Sequence, residues 1–289
     1  MLECVPNISE GRDAAVIRAL GDAVEAAGVR LLDVHSDVDH HRSVFTYLGA
    51  PDAVERATLA LARVAVDRID MRRHKGVHPR VGAVDVVPFI PLRRTSMAQA
   101  VDIAHRFGRA LSESTGVPVF FYAEAARDPG RRELPVVRWG GFERLAERLA
   151  EPRWSPDCGP AAPHPSAGVT VVGARGPLIA FNAMLDTPDV AIAKSIAGAI
   201  RESAPGGLPA VRAMGVYLES RGIAQVSMNL LDYRVTAPIT AADRVEAEAR
   251  ARGARVGQWE LVGCAPAAAW TAWRGALDIP ASRLIPPEW

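Results

Sequence analysis

The chain has 289 residues, a formal net charge of +1 and three cysteines. That length suffices for a sizeable core in one large or two modest domains, and the near-neutral balance excludes an extended nucleic-acid surface. No run approaches the roughly 18 apolar residues of a membrane span, and residues 1–6 lack the positive-then-apolar pattern of a secretory leader. Cys4, Cys158 and Cys264 are far apart and form no metal spacing, so reduced thiols and a cytoplasmic location are expected.

In chain order, residues 2–5 read as a short strand, and residues 13–27 place Val16, Ile17, Leu20 and Val24 on one helical face. Residues 29–34 and 43–48 are β-rich runs joined by a polar turn over 36–42, and 52–69 is a long alanine-rich helix. A cationic loop over 72–80 leads into a strand over 84–90. Ser96 caps a helix running towards Leu111, and 117–122 is a further strand. Residues 128–168 hold seven prolines and a short helical signal over 142–149, and their Pro/Gly-rich end, 154–168, reads as a linker or a ligand-facing loop.

A second unit is expected from residue 169. Runs 169–172 and 178–184 flank Gly173-Ala174-Arg175-Gly176 in a hairpin pattern. Thr187 caps a helix over 189–200, with Pro188 in its first turn. Runs 211–218 and 223–230 form another hairpin, followed by a helix over 241–251, a strand over 256–263 and a closing helix over 267–277. Both halves carry the split β-α-β rhythm of ferredoxin-like units. The fold expected is α+β, two ferredoxin-like subdomains spanning 1–168 and 169–289 with a substrate cleft between them.

The loop over 72–80 carries the chemistry. Arg72, Arg73, Lys75 and Arg80 surround His74 and His78, and Pro79 disfavours the α conformation at His78. A titratable base inside a cationic rim suits an anionic substrate and proton transfer. A solvated basic surface is the plain alternative. The His74/His78 spacing matches zinc ligands on a helix, but Gly76 and Pro79 break the helix and no glutamate accompanies them, so no metal is expected. His40, His41 and His105 read as surface or half-buried residues, and Trp154 as a packed side chain or a stacking platform. Asn7 and Asn182 read equally as turn ties or ligand contacts.

Several segments together carry a family resemblance: residues 3–11 (ECVPNISEG), 70–80 (DMRRHKGVHPR), Gly82-Ala83, Asp85-Val86, Gly159-Pro160, His164-Pro165, Gly168, 173–175, 178–182 and 225–230 (QVSMNL). In this order they resemble the glutamate formiminotransferase family over nearly the whole chain. The resemblance implies transfer of a formimino group from N-formimino-L-glutamate to N5 of tetrahydrofolate, the folate being co-substrate. It implies that His78 is the acid/base residue. It also implies that Gly159, Pro160, Ala161, Ala162, Pro163, His164, Pro165, Ser166, Ala167 and Gly168 lie along the folate. A homodimer without nucleic-acid or membrane partners, and without a cyclodeaminase domain, goes with it.

The residues support this chemistry independently. Attack of N5 on an amidine carbon requires one proton to leave N5 and one to reach the departing nitrogen, and an imidazole with pKa near ~6.5 serves both steps. Both substrates carry carboxylates, which gives Arg42, Lys75 and Arg80 natural partners. Two positions depart from the family pattern. His35 stands where members commonly carry an acidic residue, and Met184 replaces an amide; Glu260 matches a Glu or Gln that lines the family's site and is the second expected catalytic group. These departures keep two alternatives open: a folate-dependent transferase or cyclising enzyme with another formyl or formimino donor, and a folate-binding protein without turnover.

Overall fold

The computed structural model describes residues 1–273, 277 and 279–286 of the chain. Two compact units result, Met1–Arg175 and Gly176–Trp289.

The first strand of the chain is broken into β1 (Leu2–Cys4) and β2 (Asn7–Ile8), since Pro6 between them has no N–H for a ladder. Then follow α1 (Ala14–Glu25), β3 (Arg30–Asp37), β4 (Arg42–Gly49), α2 (Pro51–Arg68) and β5 (Val84–Pro91). Both β1 and β2 lie antiparallel between β4 and β5, and β3 pairs with the far side of β4. The spatial order β5, β1/β2, β4, β3 is that of a ferredoxin-like β-α-β-β-α-β unit.

After β5 come α3 (Met97–Thr115), β6 (Val119–Ala123), α4 (Leu134–Arg138), α5 (Leu145–Leu149) and β7 (Thr170–Ala174). Ser96 and Gln99 form a reciprocal capping box at the start of α3, and Gly116 ends that helix in the left-handed conformation. One face of the sheet, through Leu2, Cys4, Phe45, Tyr47 and Phe89, meets the apolar stripes of α1, α2 and α3. On another face Val86, Phe120, Tyr122 and Val171 are covered by Val137, Leu145 and Leu149 of α4 and α5. The proline-rich stretch is therefore partly a lid on the core rather than a linker.

Strand β7 corrects the expected hairpin over 169–184. It runs parallel to both β5 and β6, with Val171 opposite Val86 and Phe120. Its residues are buried throughout, the unalternating apolar run of a strand covered on both sides. Gly173 looked like a turn glycine, yet it sits mid-strand where a Cβ would lie 2.4 Å from the Tyr122 ring. It permits close approach of a neighbour, and β7 belongs to the first unit.

The second unit holds β8 (Ile179–Leu185), α6 (Val190–Ile200), β9 (Val211–Leu218), β10 (Ile223–Leu230), α7 (Pro238–Ala251) and β11 (Val256–Val262). Its sheet order β11, β8, β10, β9 is again ferredoxin-like. Phe181 stacks on Trp259 with ring centroids 4.8 Å apart, and Trp270 meets Phe181 edge-on at 5.4 Å. Two local expectations change. Asp189, not Thr187, caps α6, accepting from Ala191 N at 2.8 Å, while the Thr187 hydroxyl accepts from Asp189 N. Residues 267–270 form a 3-10 turn rather than the start of an α-helix, and 274–276 lie outside the described residues. Among the described residues no helix is long and apolar enough to cross a membrane.

Candidate active site

The segment between α2 and β5 folds against the turn joining β3 to β4. Val77 N donates to Asp39 O at 3.0 Å, and a Cβ on Gly76 would lie 2.3 Å from His40 O. Only a glycine lets the two backbones come this close. His74 is buried beneath the contact. Its Nε2 lies 2.7 Å from the His41 carbonyl oxygen and must donate, whereas Nδ1 accepts from Arg80 Nε at 3.2 Å. The ring is thus held as one neutral tautomer. Burial, helped by the positive groups of His41 and Arg80, pushes its pKa down to about 4. The His41 ring stacks on His74 at 4.1 Å and reaches Lys75 O through Nδ1 and Glu10 Oε1 through Nε2. Burial alone raises the Glu10 carboxyl, but hydrogen bonds from His41 and from the Asp13 and Arg12 backbone outweigh it and hold the pKa at about 2.

His74 makes the first unit acid-sensitive in a defined window. Between pH 6.5 and about 4 the unfolded chain binds a proton that folded His74 refuses, so stability is complete above 6.5 and falls as pH drops towards 4. From pH 7 to pH 5 the parent's urea midpoint should fall relative to that of His74→Gln, the contributions of His78 and Glu3 being common to both proteins. An equal change in the two proteins would contradict the buried neutral state.

His78 lies in a different setting. The residue is half-buried, yet Nδ1 is enclosed and has no hydrogen-bond partner. The His40 ring, itself buried, stacks on it with centroids 5.8 Å apart and planes 29° from parallel. Burial and the positive groups of Arg42, Arg138 and His40 hold His78 well below the usual 6.5, with the Pro79 backbone acting in the opposite sense. The imidazole is neutral at pH 7, the form that accepts a proton.

The expected carboxylate-binding cations separate into different environments. Arg80 grips Glu143 through both terminal nitrogens, Nη1 to Oε2 at 2.9 Å, and also donates to His74 O, so its fork clamps its own loop. Arg42 donates through Nη1 to Asn7 Oδ1. Lys75 is exposed and, with His74, Arg80, Phe142, Glu143, His164 and Pro165, lines a cavity of about 530 Å³. His78 does not line that cavity.

The stretch 159–168 is ordered and stitched to the histidine segment. Met71 N donates to Ser166 O at 2.7 Å and Ala83 N to Ala167 O at 2.9 Å. His164 and Gly168 exchange both backbone hydrogen bonds, and His164 Nδ1 accepts from Ala167 N. Gly159 and Gly168 both have positive φ, +89° and +71°. The other end of the loop is tied to β6, where Val119 N donates to Cys158 O and Asp157 Oδ2 accepts from Phe121 N. Trp154 packs edge-on to Phe120 with the Arg148 guanidinium 3.9 Å above its ring, so it is a packed side chain.

In the second unit, Glu260 lies opposite Asn182 across β11 and β8 and accepts from its Nδ2 at 2.9 Å. Asn182 thereby ties two strands. Met184 is buried, and its sulfur accepts from Gln225 Nε2, so the amide lost at this position is replaced within a buried contact. His35 sits half-buried on β3 opposite Val44.

Three residues were missed from sequence, His40, Arg138 and Glu143, and Asp85 was seen only as part of the resemblance, without a role. One signal was available. Asp85 interrupts the apolar run of β5, and a carboxylate in a buried strand requires a partner. Arg138 supplies it, while Asp85 Oδ1 accepts from Val81 N at 2.8 Å. Among the described residues no cluster of three or more His, Cys, Asp or Glu side chains has metal-binding geometry.

Two ferredoxin-like units, one of them carrying a neutral imidazole beside an ordered loop, fit the class of group transferases that act on small molecules. The chain belongs to the formiminotransferase family. Residues 1–175 match the model of the formiminotransferase domain, N-terminal subdomain, and residues 180–273 that of the formiminotransferase domain. Among similar proteins, glutamate formimidoyltransferase of Streptococcus pyogenes serotype M1 is 43% identical over 93% of this chain and 90% of its own. Glutamate formimidoyltransferase of Thermoplasma acidophilum is 40% identical over 92% of this chain and 88% of its own. Formimidoyltransferase-cyclodeaminase of Gallus gallus is 46% identical over 92% of this chain, which spans 50% of that protein.

Proposed function

We propose that this chain transfers the formimino group of N-formimino-L-glutamate to N5 of tetrahydrofolate, with His78 as the single acid/base group. The observation that carries the reading is the stitching of the 159–168 loop onto the segment bearing His78, through Met71–Ser166 and Ala83–Ala167. A flat pterin and a proton-transfer group are then served by one rigid piece of backbone. Membership of the formiminotransferase family supports the same choice of substrates.

The atoms balance around one proton. N5 attacks the amidine carbon and a C–N bond forms, giving a tetrahedral intermediate. Neutral His78 takes the proton from N5. The bond to the glutamate nitrogen then breaks as His78 returns that proton to the leaving amine, and L-glutamate departs. A low resting pKa suits both halves: the ring is unprotonated when needed as base and becomes a strong acid once it holds the proton. A substrate carboxylate drawn to Arg42 would offset one of the cations depressing His78 and move it towards neutrality. Lys75, exposed at the cavity, is the cation best placed for the folate tail.

The test is turnover of purified protein with tetrahydrofolate and formiminoglutamate, with formylglutamate as the competing donor. Formimino transfer, with formylglutamate far slower, is the expected result. Turnover with formylglutamate alone would change the donor, and folate binding without turnover on either would leave only a binding protein.

A further inference from the structure

We propose that the buried Arg138–Asp85 pair is a positioning device for His78: the carboxylate anchors the end of the 78–81 turn, and the guanidinium sets the field in which the imidazole exchanges its proton. The proposal rests on the reading of His78 given above.

Asp85 is 1% exposed, in a strand that is otherwise apolar. One of its oxygens accepts from Val81 N, three residues beyond His78, and the other pairs with Arg138 Nη2. Stability alone does not require such a pair, because a buried ion pair is commonly no better than apolar side chains of similar volume. Its placement is more informative. Arg138 ends α4, on the cover over the second face of the sheet, and its Nε is buried without a hydrogen-bond partner. The charged groups acting on His78 are Arg42 from β4, His40 from the turn between β3 and β4, and Arg138 from α4. Arg138 is held by a full counter-charge and so kept at a fixed place. The turn is tied further by Phe142 N to Arg80 O, by Val169 N to Val81 O and by the Arg80 side chain to Glu143 and His74. Asp85 is thus the side chain that connects the turn to Arg138.

The two members of the pair should move His78 in opposite directions. Arg138→Gln removes a positive charge and exposes the carboxylate, so the His78 midpoint should rise by about one unit. Asp85→Asn keeps an acceptor for Val81 N but removes the counter-charge, so the midpoint should fall. Arg138→Lys keeps the charge and should restore the parent value. The measurement is an NMR titration of histidine-labelled protein, with His78→Ala assigning the resonance, alongside the pH profile of kcat/KM. Unmoved midpoints in Arg138→Gln and Asp85→Asn, whatever the loss of stability, would make the pair merely structural and overturn the proposal. Where Arg138→Gln does not fold, an unmoved or raised midpoint in Asp85→Asn overturns it instead. Midpoints that move while the limb of kcat/KM stays in place would sustain the pair's effect on His78 and remove His78 from the chemistry.

Discussion

His78→Ala is expected to lower kcat by about 10²–10⁴-fold with substrate affinity largely kept, the range for loss of a positioned acid/base group that acts in the transition state. The geometry makes the choice between the two histidines of the loop sharp. Both nitrogens of His74 are committed, one to the His41 carbonyl and one to Arg80, so it has no proton to exchange without breaking the fold around it. His78 has an enclosed Nδ1 without a partner and lies in the field of Arg42 and Arg138, with His40 beside it. An imidazole of ordinary pKa would place the acid limb of kcat/KM near 6.5, but burial and those neighbours move it below that value in the free enzyme. Activity is lost as pH falls through the limb, where the base becomes protonated. Steady-state kinetics of His78→Ala and His74→Gln from pH 5 to 8 decide the matter: a crippled His74 variant beside a fully active His78 variant would sink the assignment.

Gly168→Val should cost roughly 2–4 kcal/mol of stability, the sum of a strained backbone and an overpacked contact. Gly168 has a φ of +71°, which side chains with a Cβ rarely adopt, and a Cβ there would lie 2.3 Å from Val81 O. Relief requires the 164–168 turn to part from the segment bearing His78, which breaks the Gly82–Gly168 bridge. The loss should therefore appear both in the urea midpoint and as weaker tetrahydrofolate binding by calorimetry. Gly206→Ala is the control, since it also has positive φ but nothing lies within 4 Å of its Cβ. If Gly168→Val were no less stable than this control, steric contact with Val81 would not be what demands the glycine.

The chain's local periodicities were sufficient for most elements, because a helix stripe or an alternating strand repeats within a few residues. The 3.6-residue pattern of Val16, Leu20 and Val24 and the Ser96 cap mark helices that form where expected. Two ferredoxin-like rhythms were also legible, as was the loop with His78, where Pro79 and Gly76 constrain the backbone directly. Tertiary structure alone decided the rest. Strand β7 joins β5 and β6 in parallel because its two-sided burial outweighs a turn-like Gly173. Arg138 reaches Asp85 across 53 residues of chain and Arg80 reaches Glu143 across 63. An ion pair at such separation leaves no periodic mark, since its partners are neighbours only after the sheet and its cover have assembled. His40 likewise reads as one polar residue in a polar turn until the Gly76 contact brings that turn against the His78 loop.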